Sequence, residues 1–374
     1  MISALVGRRV YLPVSGRRLY PNTYTILIAP PGGGKTTQIE VVSEVWVKNG
    51  NVRVAPTALS RASLTDVLAQ GAKNETLPDG SVEIHHSLCI ASGEFANFIR
   101  VGDFEMPALL CDLWDNISVY QEVKRTTLKD KLSIDNPHIV MIAGTTPKYL
   151  GSLMPGNIFE NGLMSRCHPY YVAKSPTPKL FETLEPDSVL MAKIIRDSQV
   201  ISQLRGPMKI EPTLIKLLED WMVHQRETEA PSHPRLADMN ARRHICILKD
   251  SMLFALGDGN SMEIQHKHFE QARELCLLRE SGMVELIESL TTSDYGQIIL
   301  DLMGHLWGKA VDSCVSELHI NNYLSDRIDP IRVSHVKNLL KDTGRMREVG
   351  WYKERDQYGS EVPTYKKFML TRRD

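Results

Sequence analysis

The chain has 374 residues, 42% hydrophobic and 24% charged, with a formal net charge of −1. That length holds two or three domains, and the balanced charge excludes a wholly basic nucleic-acid coat, so any basic surface has to be local. No apolar run reaches bilayer length, the opening "MISALVGRRVYLPVSGRRLYP" lacks a leader-type apolar core, and the six scattered cysteines form no C-x-x-C pair, which together fit a reducing, cytoplasmic setting and no membrane.

The first predicted element is a short strand, "TYTILIA", followed by a Gly-rich turn and a helical stretch with Ile39, Val42 and Trp46 on one face. From Ala29 to Thr36 the turn reads "APPGGGKT", the Walker A spacing with Ala in place of the first Gly. The residue types suit a bound triphosphate. Pro31, Gly32, Gly33 and Gly34 let backbone N–H groups approach phosphate oxygens, and the helix N-terminus adds free donors. Lys35 is expected to neutralise the phosphates and Thr36 to reach Mg²⁺, with Thr37 also among the nucleotide-binding residues. The expected cofactors are therefore ATP and Mg²⁺.

Further apolar runs, "NVRVAP", "HSLCIA", "HIVMIAG" and "CHPYYVA", alternate with helical patterns over residues 1–175. Such alternation predicts an α/β core with a parallel sheet covered on both faces. After "SLCIAS" the pair Gly93-Glu94 stands where a Walker B strand ends in Asp-Glu. Glu94 is expected to polarise the attacking water, the alternative being an acid near the N-cap of the next helix. Gly93 leaves the Mg²⁺-holding position without a side chain. Residues 176–290 read as helical, and residues 291–374 as three helices and a hairpin, the layout of a winged helix.

The order of "LYPNTYTILIAPPGGGKTT", "CIASGEFANFI", "LCDLWDN", "NPHIVMIAGTTPKYL" and "FENGLMSRCHPYYVA" resembles a family of P-loop ATPases of phages and mobile elements, often found beside primase modules and formally of unknown function. The resemblance covers residues 1–260. The arrangement is also similar to AAA+ and superfamily-3 helicase motors, and "LMSRC" to a stretch of minichromosome-maintenance helicases. It implies a P-loop NTPase (AAA+-like) core over 1–175 and a helical lid over 176–290, ahead of the winged-helix layout read over 291–374. Thr145 or Thr146 becomes the γ-phosphate sensor, and Arg166 an arginine finger acting in trans. Arg242 or Arg243 becomes a second sensor on the nucleotide. A trans finger implies a homo-oligomer, as a hexameric ring, and a primase partner is expected as a separate chain.

Two basic regions point to DNA. A hairpin is predicted around "KRTTLKD", with Lys124, Arg125 and Lys129 near its tip; the resemblance implies that such tips line the pore of a ring, where their charge would draw a phosphate backbone. From Pro330 to Arg373 there are 11 Lys/Arg against 5 Asp/Glu. There Arg332, Lys337 and Lys341 lie on the presumptive recognition helix, and Lys353, Arg355, Lys366 and Lys367 in or beside the wing. Winged helices also dock proteins, so both uses stay open. The leading expectation is an ATP-driven, DNA-dependent motor in phage or mobile-element replication. The alternative is a nucleotide-gated DNA-binding platform or helicase loader, which suits the missing aspartate.

Overall fold

Helix α1 (Ile2–Val6) leads into a hairpin of β1 (Val10–Val14) and β2 (Arg17–Leu19). Its two turn residues, Ser15 and Gly16, have φ of 48° and 75°, the mirror-image turn that matches strand twist. Strand β3 (Tyr24–Ile28) follows, then the Gly-rich turn and α2 (Lys35–Asn49). Gly32 and Gly34 have φ of 76° and 70°, the left-handed region in which a side chain is strained. Two of the three glycines are thus required by the turn itself.

Next come α3 (Arg61–Ala69), β4 (Ala72–Thr76), β5 (Val82–Ser92) and α4 (Glu105–Trp114). Ser60 and Ser63 start α3 reciprocally: Ser60 Oγ accepts from the Ser63 N–H at 3.2 Å, and Ser63 Oγ from the Ser60 N–H at 2.9 Å. A hairpin of β6 (Val119–Val123) and β7 (Lys131–Asp135) precedes β8 (Pro137–Thr145), α5 (Pro147–Leu153) and β9 (Cys167–Tyr171). Asp187 caps α6 (Ser188–Ile201) by accepting from the N–H groups of Val189 and Leu190. The short strands β10 (Gly206–Pro207) and β11 (Lys209–Ile210) then lead to α7 (Pro212–Thr228), α8 (Ala237–Gly257), β12 (Glu263–Ile264) and α9 (His266–Thr291). This computed structural model describes residues 1–76, 80–123, 131–153, 162–174, 187–228, 233, 236–291, 297–325, 327–328, 330–342, 344–355 and 361–371.

The main sheet has the order β4-β5-β8-β3-β9, with β5, β8, β3 and β9 parallel and β4 antiparallel at the edge. All nine residues of β8 are buried, as its unbroken apolar run requires of a strand covered on both faces. "NVRVAP" was expected as a strand. It makes only a bridge, with Ala55 N–H donating to Cys89 O and Cys89 N–H to Arg53 O. The reason is that β4 occupies the lower half of the same edge of β5, pairing Ala72 with His86.

Two compact units divide the chain, Met1–Leu286 and Ile287–Asp374. In the first, one apolar cluster takes in Leu5 and Leu12, Ile39 and Trp46 of α2, Val140 of β8, Met252 and Leu256 of α8, and Phe269 of α9. The helices after β9 therefore share their core with the sheet. In the second unit, α10 (Gln297–Lys309), α11 (Glu317–Ser325) and α12 (Pro330–Asp342) surround a three-stranded antiparallel sheet. Its strands β13 (Cys314–Ser316), β14 (Met346–Arg355) and β15 (Glu361–Leu370) take the order β13-β15-β14. Its core gathers Leu302, Leu306, Ile320, Val336, Leu340 and Phe368. No helix among the described residues is long and apolar enough to cross a membrane.

Candidate functional site

Because β3, β5 and β8 run parallel, their C-terminal ends meet at one edge of the sheet, the usual ligand crevice of an open α/β sheet. Three segments converge there: the turn Ala29–Gly34 after β3, Gly93 and Glu94 after β5, and Thr145 and Thr146 at the end of β8. A hydrogen bond of 3.3 Å from the Ala29 N–H to Thr145 O ties the first to the third. Pro31, Gly32, Gly34, Thr36 and Thr37 are exposed, and Gly33 and Lys35 half-buried. The first-turn N–H groups of α2 have no partner within the helix and face this crevice's rim. Lys35 Nζ folds back onto the turn, donating to Ala29 O at 2.7 Å and Pro30 O at 3.0 Å. Partial burial lowers its pKa and the nearby Glu94 carboxylate works against that, so Lys35 and Glu94 feel each other's charge.

Gly93 lies directly over Thr36. A Cβ at residue 93 would sit 3.4 Å from Thr36 Oγ1. A carboxylate there would face the Thr36 hydroxyl, and the chain offers hydrogen instead. Glu94 is exposed and makes no cap bond to the short 3₁₀ turn Phe95–Asn97, so the capping alternative has no hydrogen bond behind it. Ser92, the buried hydroxyl just before this pair, is engaged within the turn. Its hydroxyl donates to Glu94 O at 2.9 Å and accepts from Asn97 Nδ2 at 3.3 Å. The two threonines also separate. Thr146 Oγ1 accepts from the Tyr149 N–H at 3.2 Å and caps α5. Thr145 is 1% exposed, and its Oγ1 has no hydrogen-bond partner among the described residues. Of the pair, Thr145 is the hydroxyl left to act on a ligand.

Sequence reasoning missed Gly144. A Cβ there would lie 2.5 Å from Gly93 O, a backbone clash, so the close approach of the β5 and β8 ends depends on this glycine. The available signal was a Gly inside an otherwise apolar strand, which marks such an approach.

The arginines are at the opposite edge. Arg166 immediately precedes β9, whose Cys167 pairs with Tyr24 at the start of β3. A five-residue strand rises roughly 3.3 Å per residue, so β3 separates Arg166 from its own chain's phosphate turn. Its guanidinium grips Asp115, with Nη2 at 2.6 Å from Oδ2 and Nε at 3.3 Å from Oδ1, and Nη1 donates to Gly162 O at 2.9 Å. Asp115, in the "LWDN" stretch, also accepts from Arg242 Nη1 at 3.4 Å. Arg242 therefore lies at the far edge too and is no second sensor for its own chain's turn. Arg243 is corrected outright: it is 1% exposed and bound through Nε to Glu280 Oε1 at 2.8 Å, with Nη2 on Oε2. That buried pair joins α8 to α9 and leaves the guanidinium no reach to a nucleotide.

Beside Asp115, Lys249 is wholly buried, donating to Asn22 Oδ1 at 2.6 Å and Asn22 O at 3.2 Å with its ammonium 3.5 Å from the Trp114 ring centre. Burial pushes its pKa down to about 7.

The basic candidates divide. Lys124, Arg125 and Lys129 lie outside the described residues, although both arms of their hairpin, β6 and β7, are present. The side chains of Arg332 and Arg355 are likewise outside. In the second unit Lys337 pairs with Glu317 at 2.7 Å, and Glu348 takes both Lys366 at 3.2 Å and Lys341 at 3.6 Å. Much of the expected positive surface is thus balanced locally. Lys353 is exposed, and Lys367 lies 5.4 Å from the Tyr352 ring centre. An exposed Trp351, paired across strands with Lys366, was not anticipated and adds an aromatic face to this hairpin.

Compared with known protein families and with curated proteins, the chain matches none, so the function is argued from this geometry.

Proposed function

We propose that the chain is an oligomeric, ATP-hydrolysing P-loop motor of AAA+-like build that acts on DNA, with a winged helix as its second unit. The observation that supports the reading is the placement of phosphate-type donors at one end of the sheet and of a held arginine, Arg166, at the other. At one edge, the turn N–H groups, Lys35, the Thr36 hydroxyl, Glu94 and the orphaned Thr145 hydroxyl converge. The donor set fits a nucleotide: cationic and N–H donors for phosphates, hydroxyl oxygen for a hard cation, a carboxylate for water. Lys35 would hold the β- and γ-phosphates, Thr36 a Mg²⁺ ion, Thr145 the γ-phosphate or its water, and Glu94 the attacking water. Mg²⁺ supplies charge neutralisation on the phosphate oxygens. Arg166, at the other edge, serves a neighbouring copy, which makes the active unit a head-to-tail assembly such as a ring.

The test is ATP turnover of wild type, Lys35→Ala and Arg166→Ala, each alone and with single- or double-stranded DNA. The motor reading expects turnover that DNA stimulates and both variants lose. Turnover indifferent to DNA, with no DNA bound, sinks it. Gly93 favours a second reading, a nucleotide-gated DNA-bound platform or loader, because no side chain at that position holds the cation beside Thr36. Assembly that requires ATP while turnover stays negligible selects that reading.

A further inference from the structure

A second cluster of unspent donors lies away from the phosphate turn. Sheet register builds it. Lys73 pairs with His85 across β4 and β5, and Ser87 pairs with His138 across β5 and β8. His85 and Ser87 are two residues apart, so all four side chains stand on one face of the sheet. Arg8 and Arg9, just after the turn that follows α1, come over this face, and Arg53 reaches it from the segment bridged to Cys89. These residues line one cleft, and no carboxylate lines it.

Charge is unbalanced around it. Glu83 accepts from Arg8 at 3.1 Å and Arg18 at 2.9 Å, and Glu75 is shared by Arg205 at 3.2 Å and Arg9 at 3.9 Å. Lys73 donates to a carbonyl, Asn51 O at 2.7 Å, and neither it nor Arg53 has a carboxylate partner among the described residues. Buried nitrogens are also left over. His85 and His138 are 4% and 1% exposed, and His85 Nε2, both ring nitrogens of His138, and Arg9 Nε have no hydrogen-bond partner among the described residues. A neutral imidazole always carries one N–H, so His138 presents a buried donor whichever tautomer it takes. If Ser87 donates to His85 Nδ1, at 2.8 Å, then His85 Nε2 is a second. Such groups are costly unless a partner meets them. Water can satisfy an N–H, but it cannot offset an excess of positive charge. The charge is felt: burial first, then Arg8, Lys73 and Arg9, hold the His85 pKa down to about 4.

We propose that this cleft is an oxyanion site, separate from the phosphate turn, that takes a single phosphate group on Arg9, Arg53, Lys73, His85 and His138. The lining sets the ligand class: Arg9, Arg53 and Lys73 supply positive charge, His85 and His138 supply ring nitrogens, and a compact oxyanion can accept from several such donors at once. The phosphate is either the free ion or the end of a larger molecule. Distance separates this site from the first: His85 and Gly93 are eight residues apart along β5 and its end, about 26 Å at strand rise.

The test measures inorganic phosphate binding by calorimetry to the Lys35→Ala chain, in which the phosphate turn is disabled, and to the same chain carrying Arg53→Gln and Lys73→Gln. Both added positions are half-buried and outside the core. The expected result is binding near one phosphate per chain, weakened at least about tenfold by the added pair, the loss that goes with a charge-assisted hydrogen bond. In the wild-type chain, NMR of the His85 ring gives a second readout: phosphate raises its pKa from about 4. A dinucleotide with and without a 5′-phosphate separates the sources. Tighter binding of the phosphorylated one than of the free ion assigns a nucleic-acid end, and equal binding assigns the free anion. No bound phosphate, or binding that Arg53→Gln and Lys73→Gln leave unchanged together with an unmoved His85, overturns the site.

Discussion

The phosphate-turn end of the central sheet and the region around Arg166 at its other end treat polar groups in opposite ways. At the C-terminal edge, Thr36 and Glu94 are exposed, Lys35 rests on two carbonyls of its own turn, and the Thr145 hydroxyl is buried without a partner. Around Arg166, the guanidinium is gripped by Asp115, Arg242 shares that carboxylate, and Lys249 is held by two oxygens of Asn22 and the Trp114 ring. The first region leaves its groups open to a ligand. The other holds a prearranged cation whose internal partner fixes its direction. Burial disfavours the Arg166 charge, and the hydrogen bonds to Asp115 more than offset this, raising its pKa. A guanidinium so held is always charged and loses little side-chain freedom when it meets a phosphate.

The largest expected effect comes from Arg166. If it completes a neighbour's site, Arg166→Ala lowers kcat by about 10³-fold or more, with nucleotide affinity nearly unchanged, measured as separate kcat and Kd values. Equal losses in both would make Arg166 a structural residue. Next is Gly144. Gly144→Ala puts a Cβ against Gly93 O and is expected to cost about 1–3 kcal/mol of stability in denaturant unfolding, with turnover falling as Gly93 and Glu94 shift. An unchanged stability would mean the β5 and β8 ends do not need their close approach.

Lys249 tests the buried edge through pH. Its folded pKa of about 7 lies below the unfolded 10.5, so above pH 7 the unfolded chain binds the extra proton. The penalty of burying the ammonium is therefore fully present below about pH 7 and is relieved as pH rises toward 10.5. Unfolding free energy should climb by up to roughly 1.4 kcal/mol per pH unit in that window. Lys249→Met should flatten the slope, and a slope that survives it assigns the effect elsewhere. The smallest effect is a gain. Gly93→Asp places a carboxylate near Thr36 Oγ1, and Mg²⁺ affinity in the nucleotide complex should improve about tenfold by titration of turnover against Mg²⁺. No change would show that the cation is not held beside Thr36.

The open edge was legible and the packed edge was not. Strand, Gly-rich turn and helix announce themselves locally, because φ restrictions and helix termini act over a few residues. The unbroken run of β8 and the two arms of the β6–β7 hairpin were readable for the same reason. Which threonine is free was not readable, since it depends on Thr146 capping α5. Arg242 and Arg243 are neighbours in sequence with different fates, one on Asp115 and one buried on Glu280. Those partners are 127 and 37 residues away, so only the packed structure separates them. Asp115 passed as part of a motif because nothing local says what it holds. The β1–β2 hairpin did have a local signal, the Ser15-Gly16 pair just after the apolar run Val10–Val14.

Central to the account is that the two edges of different copies make one site. Mixing Lys35→Ala chains with Arg166→Ala chains, each inactive alone, tests it directly. Where the two meet in the right order, the intact phosphate turn of the Arg166→Ala chain faces the intact Arg166 of the Lys35→Ala chain, and ATP turnover returns. Turnover that stays at the level of the separate variants, although the mixed chains assemble, would contradict a site shared between copies.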